Sequence, residues 1–125
     1  IASQPELLLG DGDGDPVDVL VITPFPLIPG VVVRCRALGM LRMQDEGGED
    51  AKLIAVPVTK ILPIYSEWKD TSDINPLSLN QIKHFFEHYK DLEAGKWVKV
   101  QGWGNVADAH KEITDGVAAY AKTKA

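Results

Sequence analysis

From Val17 to Val58 the sequence is patterned for strands, and its later part carries two helical patterns with one strand between them. That order predicts an α+β domain built on a mainly antiparallel sheet or barrel flanked by two helices. Residues 17 to 22 (Val-Asp-Val-Leu-Val-Ile) are apolar on both faces and read as a buried strand. Pro24, Pro26 and Pro29-Gly30 then force a loop. A long strand from Val31 to Met43 follows, with Val31, Val33, Cys35 and Ala37 on one face and Arg34 and Arg36 on the other. Gly39 marks a bulge or bend within it. An acidic turn, Asp45-Glu46-Gly47-Gly48-Glu49-Asp50, leads into a strand from Ala51 to Val58, so the pair reads as a hairpin.

Residues 59 to 77 look irregular, with Pro63 and Pro76 as breakers. Ser78 and Gln81 form a capping box for a helix whose apolar stripe is Leu79, Ile82, Phe85, Phe86 and Tyr89, and Gly95 is expected to end it. Lys96 to Trp103 reads as a strand. Asn105 with Asp108 caps a last helix, with Ala109, Ile113, Val117 and Tyr120 at helical spacing. Leu7 to Leu9 is a candidate strand stub. No repeat or low-complexity linker divides the chain, so residues 1–125 are expected to form one domain.

A formal charge of −5, with no Lys/Arg cluster, argues against a nucleic-acid binder. No apolar run approaches the ~20 residues of a membrane span. A lone cysteine, Cys35, excludes an internal disulfide framework and suits a reducing compartment, so the expected location is cytoplasmic. Cys35 itself lies on an apolar strand face and reads as inert core.

Chemistry enters with Asp13-Gly14-Asp15-Pro16-Val17-Asp18, which places three carboxylates within six positions beside a stiff turn. At ~5 Å and an effective dielectric of ~20, each pair of anions costs on the order of 3 kcal/mol. Splaying into water, protonation or a bridging cation relieves that repulsion, and oxygen-only ligands beside Gly and Pro suit Mg²⁺ or Mn²⁺ together with a phosphorylated substrate. Strand parity extends the pattern. Asp18 shares a face with Leu20 and Ile22, and Asp50 and Lys52 share one with Ile54 and Val56. Charges at the start of each row give way to apolar residues deeper in it, as at the mouth of a barrel. If both rims lie at one end, Asp13, Asp15, Asp18, Asp45, Asp50 and Lys52 converge. Taken singly, the acidic turn is a solvated loop and Lys52 a snorkelling lysine. His84 and His88, at i and i+4, fall opposite the apolar stripe and suggest a subunit contact more than a metal clamp.

Asp11 to Asp15 imitates the start of a calcium-binding EF-hand loop, but Pro16 replaces its glycine and Ile22 its bidentate glutamate. Asp13-Gly14-Asp15-Pro16-Val17 also fits the Asp-x-Asp-x-Val element of haloacid-dehalogenase-type phosphatases, though the strands that follow at once do not suit their Rossmann-like body. A third likeness runs through nearly the whole chain. It comprises Asp13-Gly-Asp-Pro-Val-Asp18-Val-Leu-Val, Thr23-Pro-Phe-Pro-Leu-Ile-Pro-Gly30, Asp45-Glu-Gly-Gly-Glu-Asp50-Ala-Lys52, His84-Phe-Phe-Glu-His-Tyr89-Lys90-Asp-Leu-Glu and Gly95-Lys-Trp-Val-Lys-Val. In order and spacing these segments closely resemble the soluble family I inorganic pyrophosphatases.

The resemblance implies a small OB-like β-barrel and hydrolysis of diphosphate to two phosphates, with Mg²⁺, Mn²⁺ or another divalent ion as cofactor. By it, Asp13, Asp18 and Asp50 bind a first metal, Asp18 bridges to a second, and Asp45 with Asp50 holds a metal arriving with the substrate. Asp15 orients or deprotonates the attacking water, and Lys52, Tyr89 and Lys90 grip phosphate oxygens. It also implies a homo-oligomer, hexamer or dimer. In the family several strands precede the Asp-rich turn and supply further site residues, whereas twelve residues precede Asp13 here. The barrel is therefore expected to be open or incomplete, the domain truncated at its N-terminus, and a silent relative that binds metal or diphosphate, or merely assembles, stands as the alternative.

Overall fold

The computed structural model describes residues 18 to 124. Four strands form one open sheet in the order β1-β3-β2-β4. These are β1 (Asp18–Val21), β2 (Cys35–Asp45), β3 (Gly48–Pro57) and β4 (Val98–Gly104), with helices α1 (Pro76–His88) and α2 (Val106–Lys124). β2 pairs antiparallel with both β3 and β4, whereas β1 runs parallel to β3, so the sheet is mixed. The expected α+β class with two flanking helices holds. So does the expected open barrel: among the described residues no further strand pairs with the outer edges of β1 and β4.

One face packs on α2 through Met40, Leu53 and Ala109, with Val19, Ala37, Ala51 and Ile113 around them. The opposite face packs on α1 through Leu38, Ile54, Val56 and Ile74, with Leu20, Ile22, Leu79, Ile82 and Trp103 joining. A bulge between Ala37 and Gly39 of β2 decides which residue faces where. It inserts one residue, so odd-numbered positions that face α2 before it (Ala37) face the α1 side after it (Leu41, Met43, Asp45). Gly39 is the residue the bulge needs. A Cβ there would lie 1.7 Å from the Thr71 hydroxyl oxygen and 2.7 Å from the Gly104 carbonyl.

The irregular stretch before α1 is pinned to the sheet. The Thr71 hydroxyl donates to the Gly104 carbonyl at 2.7 Å, and the Arg36 guanidinium donates to the carbonyls of Tyr65 and Trp68. Helix boundaries correct the reading of the sequence in two places. Asn75, not Ser78, caps α1: its side chain accepts from Leu77 N–H at 2.9 Å, and Pro76 opens the helix with φ preset. α1 also stops at His88, so Gly95, with φ +76°, turns the chain toward β4 and does not cap the helix. For α2 the expected cap is present and reciprocal. Asn105 N–H donates to Asp108 and Asp108 N–H to Asn105, both at 2.9 Å. Ala109 and Ile113 pack against the sheet as expected, whereas Val117 is exposed, and the Tyr120 side chain lies outside what is described.

Candidate active site

The α1-side face of the sheet changes character along its length. Leu38, Ile54 and Val56 are buried at one end, while Asp18, Asp45, Asp50 and Lys52 occupy the other. The register explains the convergence. Asp18 lies beside Lys52 across the parallel pair, Asp50 precedes Lys52 by two on the same face, and Asp45 reaches that face through the bulge.

Lys52 is the centre of the first cluster. Its Nζ lies 2.6 Å from Asp18 Oδ2 and 3.0 Å from Asp50 Oδ2, and its side chain is only 10% exposed. The Phe86 ring of α1 covers it, with the centroid 5.8 Å from Nζ. Burial pushes the ammonium pKa down, but the hydrogen bonds and charges of Asp18 and Asp50 outweigh that, so it stands above the ordinary lysine value. Asp50 is mostly covered, while Asp18 remains 63% exposed.

The second cluster forms where the chain leaves α1. Lys90 Nζ lies 2.9 Å from Asp45 Oδ2 and 3.2 Å from Glu46 Oε2. Asp45 Oδ1 accepts from Gly47 N–H at 2.8 Å, so the two oxygens of one carboxylate fix the hairpin turn and receive the lysine. Burial pushes the Asp45 carboxyl up, yet the Lys90 and Gly47 hydrogen bonds, helped by the charges of Lys90 and Lys52, hold it below its usual range. Lys90 is shifted upward, chiefly by its bond to Asp45.

Of the expected site residues, the structure thus brings Asp18, Asp45, Asp50, Lys52 and Lys90 to one rim. Asp13 and Asp15 lie outside the described residues. Tyr89 stacks on Phe85 at a centroid distance of 5.8 Å and meets Phe86 edge-on at 5.5 Å; it is 39% exposed, and its ring centroid lies 5.6 Å from Lys90 Nζ at the border of the cluster. Two participants escaped the sequence reading. Glu46 bonds Lys90 and accepts from Trp97 N–H at 3.3 Å; its signal was a place in the acidic turn. Phe86 belongs to the apolar stripe read from the sequence, and only the packing of α1 on the sheet turns it into a cover over Lys52.

The described residues hold no ready-made group of three His, Cys, Asp or Glu ligands. They do hold carboxylate pairs wrapped around a cation. The ammonium of Lys52 stands between Asp18 and Asp50, and an all-oxygen donor set of this kind fits Mg²⁺ or a similar hard ion.

Comparison with known proteins settles the kinship. The family model described as inorganic pyrophosphatase matches residues 5–121. The chain belongs to the inorganic pyrophosphatase family. It is 68% identical over 111 residues to an inorganic pyrophosphatase of Ralstonia nicotianae, covering 89% of this chain and 63% of that one. With the inorganic pyrophosphatase of Pseudomonas aeruginosa it shares 60% over 110 residues, covering 88% and 63%. The solved structure of an inorganic pyrophosphatase from Coxiella burnetii superposes with a TM-score of 0.87 at 49% identity, covering 93% of this chain and 68% of that one. The chain thus spans about 63% of the length of the curated relatives it matches. These matches do not favour the haloacid-dehalogenase likeness.

Proposed function

We propose that this pyrophosphatase-family chain hydrolyses inorganic diphosphate to two phosphates with metal-activated water. One observation carries the reading: five ionisable side chains from β1, β2, β3 and the turn after α1 meet at one rim, every carboxylate of the set against a lysine. Isolated surface ion pairs do not require such convergence from elements far apart in sequence.

Asp18, Asp45 and Asp50 would hold divalent ions, with Asp13 completing the set. Such ions, Mg²⁺ first and Mn²⁺ next, lower the pKa of water and offset the charge of the phosphates. Asp15 takes the proton of the attacking water. Lys52 and Lys90 donate charge-assisted hydrogen bonds to phosphate oxygens, each worth roughly 1.5 to 3 kcal/mol, and Tyr89 offers its hydroxyl beside them. The protein's part is mainly positioning, as phosphoryl transfer requires.

Phosphate release from diphosphate with and without MgCl₂, compared with Asp15→Asn, tests the reading. The expected result is Mg²⁺-dependent turnover that falls roughly 10²- to 10⁴-fold in the variant. Equal rates would overturn it.

The reading carries a cytoplasmic location and a homo-oligomer, hexamer or dimer. No helix among the described residues is long and apolar enough to cross a membrane. The exposed His84 and His88 rings, 4.5 Å apart, with His88 Nδ1 2.8 Å from Asp91, support a subunit contact on the outer face of α1. Light scattering of His88→Ala should then show a smaller species.

A further inference from the structure

The two lysines of the site are not held alike. Both carboxylates on Lys52, Asp18 and Asp50, are metal ligands on the reading above. Lys90 also touches one such ligand, Asp45, but its second partner is Glu46, which that reading leaves without a role. Glu46 is itself fixed at both oxygens: Oε1 accepts from Trp97 N–H at 3.3 Å and Oε2 accepts from Lys90 at 3.2 Å. It therefore links the β2–β3 turn to the segment that enters β4.

A carboxylate oxygen directed at a divalent ion is no longer offered to an ammonium group, so ion and lysine compete for Asp18, Asp45 and Asp50. When the lysines give up those oxygens, Lys52 retains no carboxylate among its described contacts, only the Phe86 ring. Lys90 retains Glu46. We propose that Glu46 is a positioning residue for Lys90, a tether that survives metal loading and keeps the ammonium at the hairpin for the incoming phosphate while Lys52 comes free. The inference rests on the diphosphatase reading. Its physical basis is that a long, rotamer-rich side chain held near its working position loses less entropy on binding.

Lysine-selective ¹⁵N relaxation of the Nζ groups and ¹³C shifts of the side-chain carboxyls, recorded before and after saturation with Mg²⁺ alone, test it. In the wild-type chain, the Lys52 Nζ order parameter should fall and that of Lys90 should hold. The Asp18, Asp45 and Asp50 carboxyl carbons should move while Glu46 Cδ stays. Glu46→Gln keeps an acceptor for Trp97 N–H but removes the charge. In it, Lys90 should lose its order on Mg²⁺ loading, and Mg²⁺-dependent binding of imidodiphosphate should weaken roughly tenfold. Two results overturn the tether while leaving the diphosphatase reading intact: Glu46 Cδ moving as far as the Asp50 carboxyl in the wild type, or Lys90 staying ordered in folded Glu46→Gln. Absence of any Mg²⁺ binding heat in the wild-type chain would overturn the reading and the tether together.

Discussion

The two faces of the sheet use the same strands for different ends. Toward α2, the residues Ala37, Met40, Leu53 and Ala51 meet Ala109 and Ile113, and the charged pair at the margin, Arg42 with Asp108, is half open to water. Toward α1, an apolar row of Leu38, Ile54 and Val56 runs into Asp45, Asp50 and Lys52 without leaving the face. The first face is organised for burial throughout. The second is a core for half its length and an ionic site for the rest, so the rigid half aims the charged half. Packing thus fixes carboxylates that would otherwise repel one another, and lysines keep them compensated.

The sharpest way to separate the two halves of the α1-side face is to damage the apolar one. Ile54→Ala removes a fully buried side chain of β3. It should cost about 2 to 5 kcal/mol by urea denaturation, through lost transfer energy and the cavity left behind. Mg²⁺ affinity of the remaining folded fraction should stay the same, since Lys52 and Asp50 are two and four residues away on an intact ladder. A large loss of metal affinity without loss of stability would contradict the division. Next in size is Gly39→Ala. Its Cβ would strike Thr71 Oγ1 and the Gly104 backbone, and backbone cannot swing aside as a flexible side chain can. A loss of about 1 to 3 kcal/mol is expected. Because the bulge sets the facing of Asp45, Mg²⁺ binding should weaken along with stability.

That last coupling shows what the sequence can and cannot reveal. Period-two alternation put Asp50, Lys52, Ile54 and Val56 on one face, and Asp18 with Leu20 and Ile22 on another, from letters alone; the parallel register then laid one row beside the other. Asp45 was harder. Its facing depends on one inserted residue in β2, and a glycine marks where a bulge can sit but not its effect on parity. The α1 cap was misread because Ser78 and Gln81 match a capping box, while Asn75-Pro76 offers a bonded cap and a preset φ three residues earlier. Glu46 and Phe86 are non-local participants. Nothing near Glu46 in sequence names Lys90, 44 residues on, as its partner. The open sheet edge was legible only through the family resemblance, because pairing between distant strands leaves no local mark.

The contrast between the faces can be sharpened with one cation from each. Lys52→Met takes the ammonium from between Asp18 and Asp50. Stability should fall by about 1 to 3 kcal/mol, because Asp50, mostly covered, loses its ammonium partner, while Asp18 is already largely in water and the methionine stem preserves the contact with Phe86. Mg²⁺-dependent imidodiphosphate binding, measured by calorimetry, should weaken roughly 10- to 100-fold, the worth of one charge-assisted hydrogen bond. Loss of folding with no loss of ligand binding would make Lys52 a structural lysine.

Arg42→Ala is the matched control on the α2 side and carries the smallest expected effect. Arg42 is one strand over from Lys52, it too pairs with an aspartate, and its NH2 lies 3.1 Å from Asp108 Oδ2. Both partners are substantially exposed, at 47% and 36%, so solvent screens most of their attraction. Asp108 would also keep a hydrogen bond, from Asn105 N–H, and would go on capping α2. Removing Arg42 should therefore lower stability by at most about 1 kcal/mol and leave imidodiphosphate binding unchanged. The informative quantity is the ratio between the two variants. If charge anywhere on β2 and β3 assisted the ligand through the general field of the protein, Arg42→Ala would weaken binding nearly as much as Lys52→Met, and raising the salt concentration would erase both effects together. If contact at the rim is what matters, Lys52→Met alone should weaken binding, and its deficit should persist at high salt.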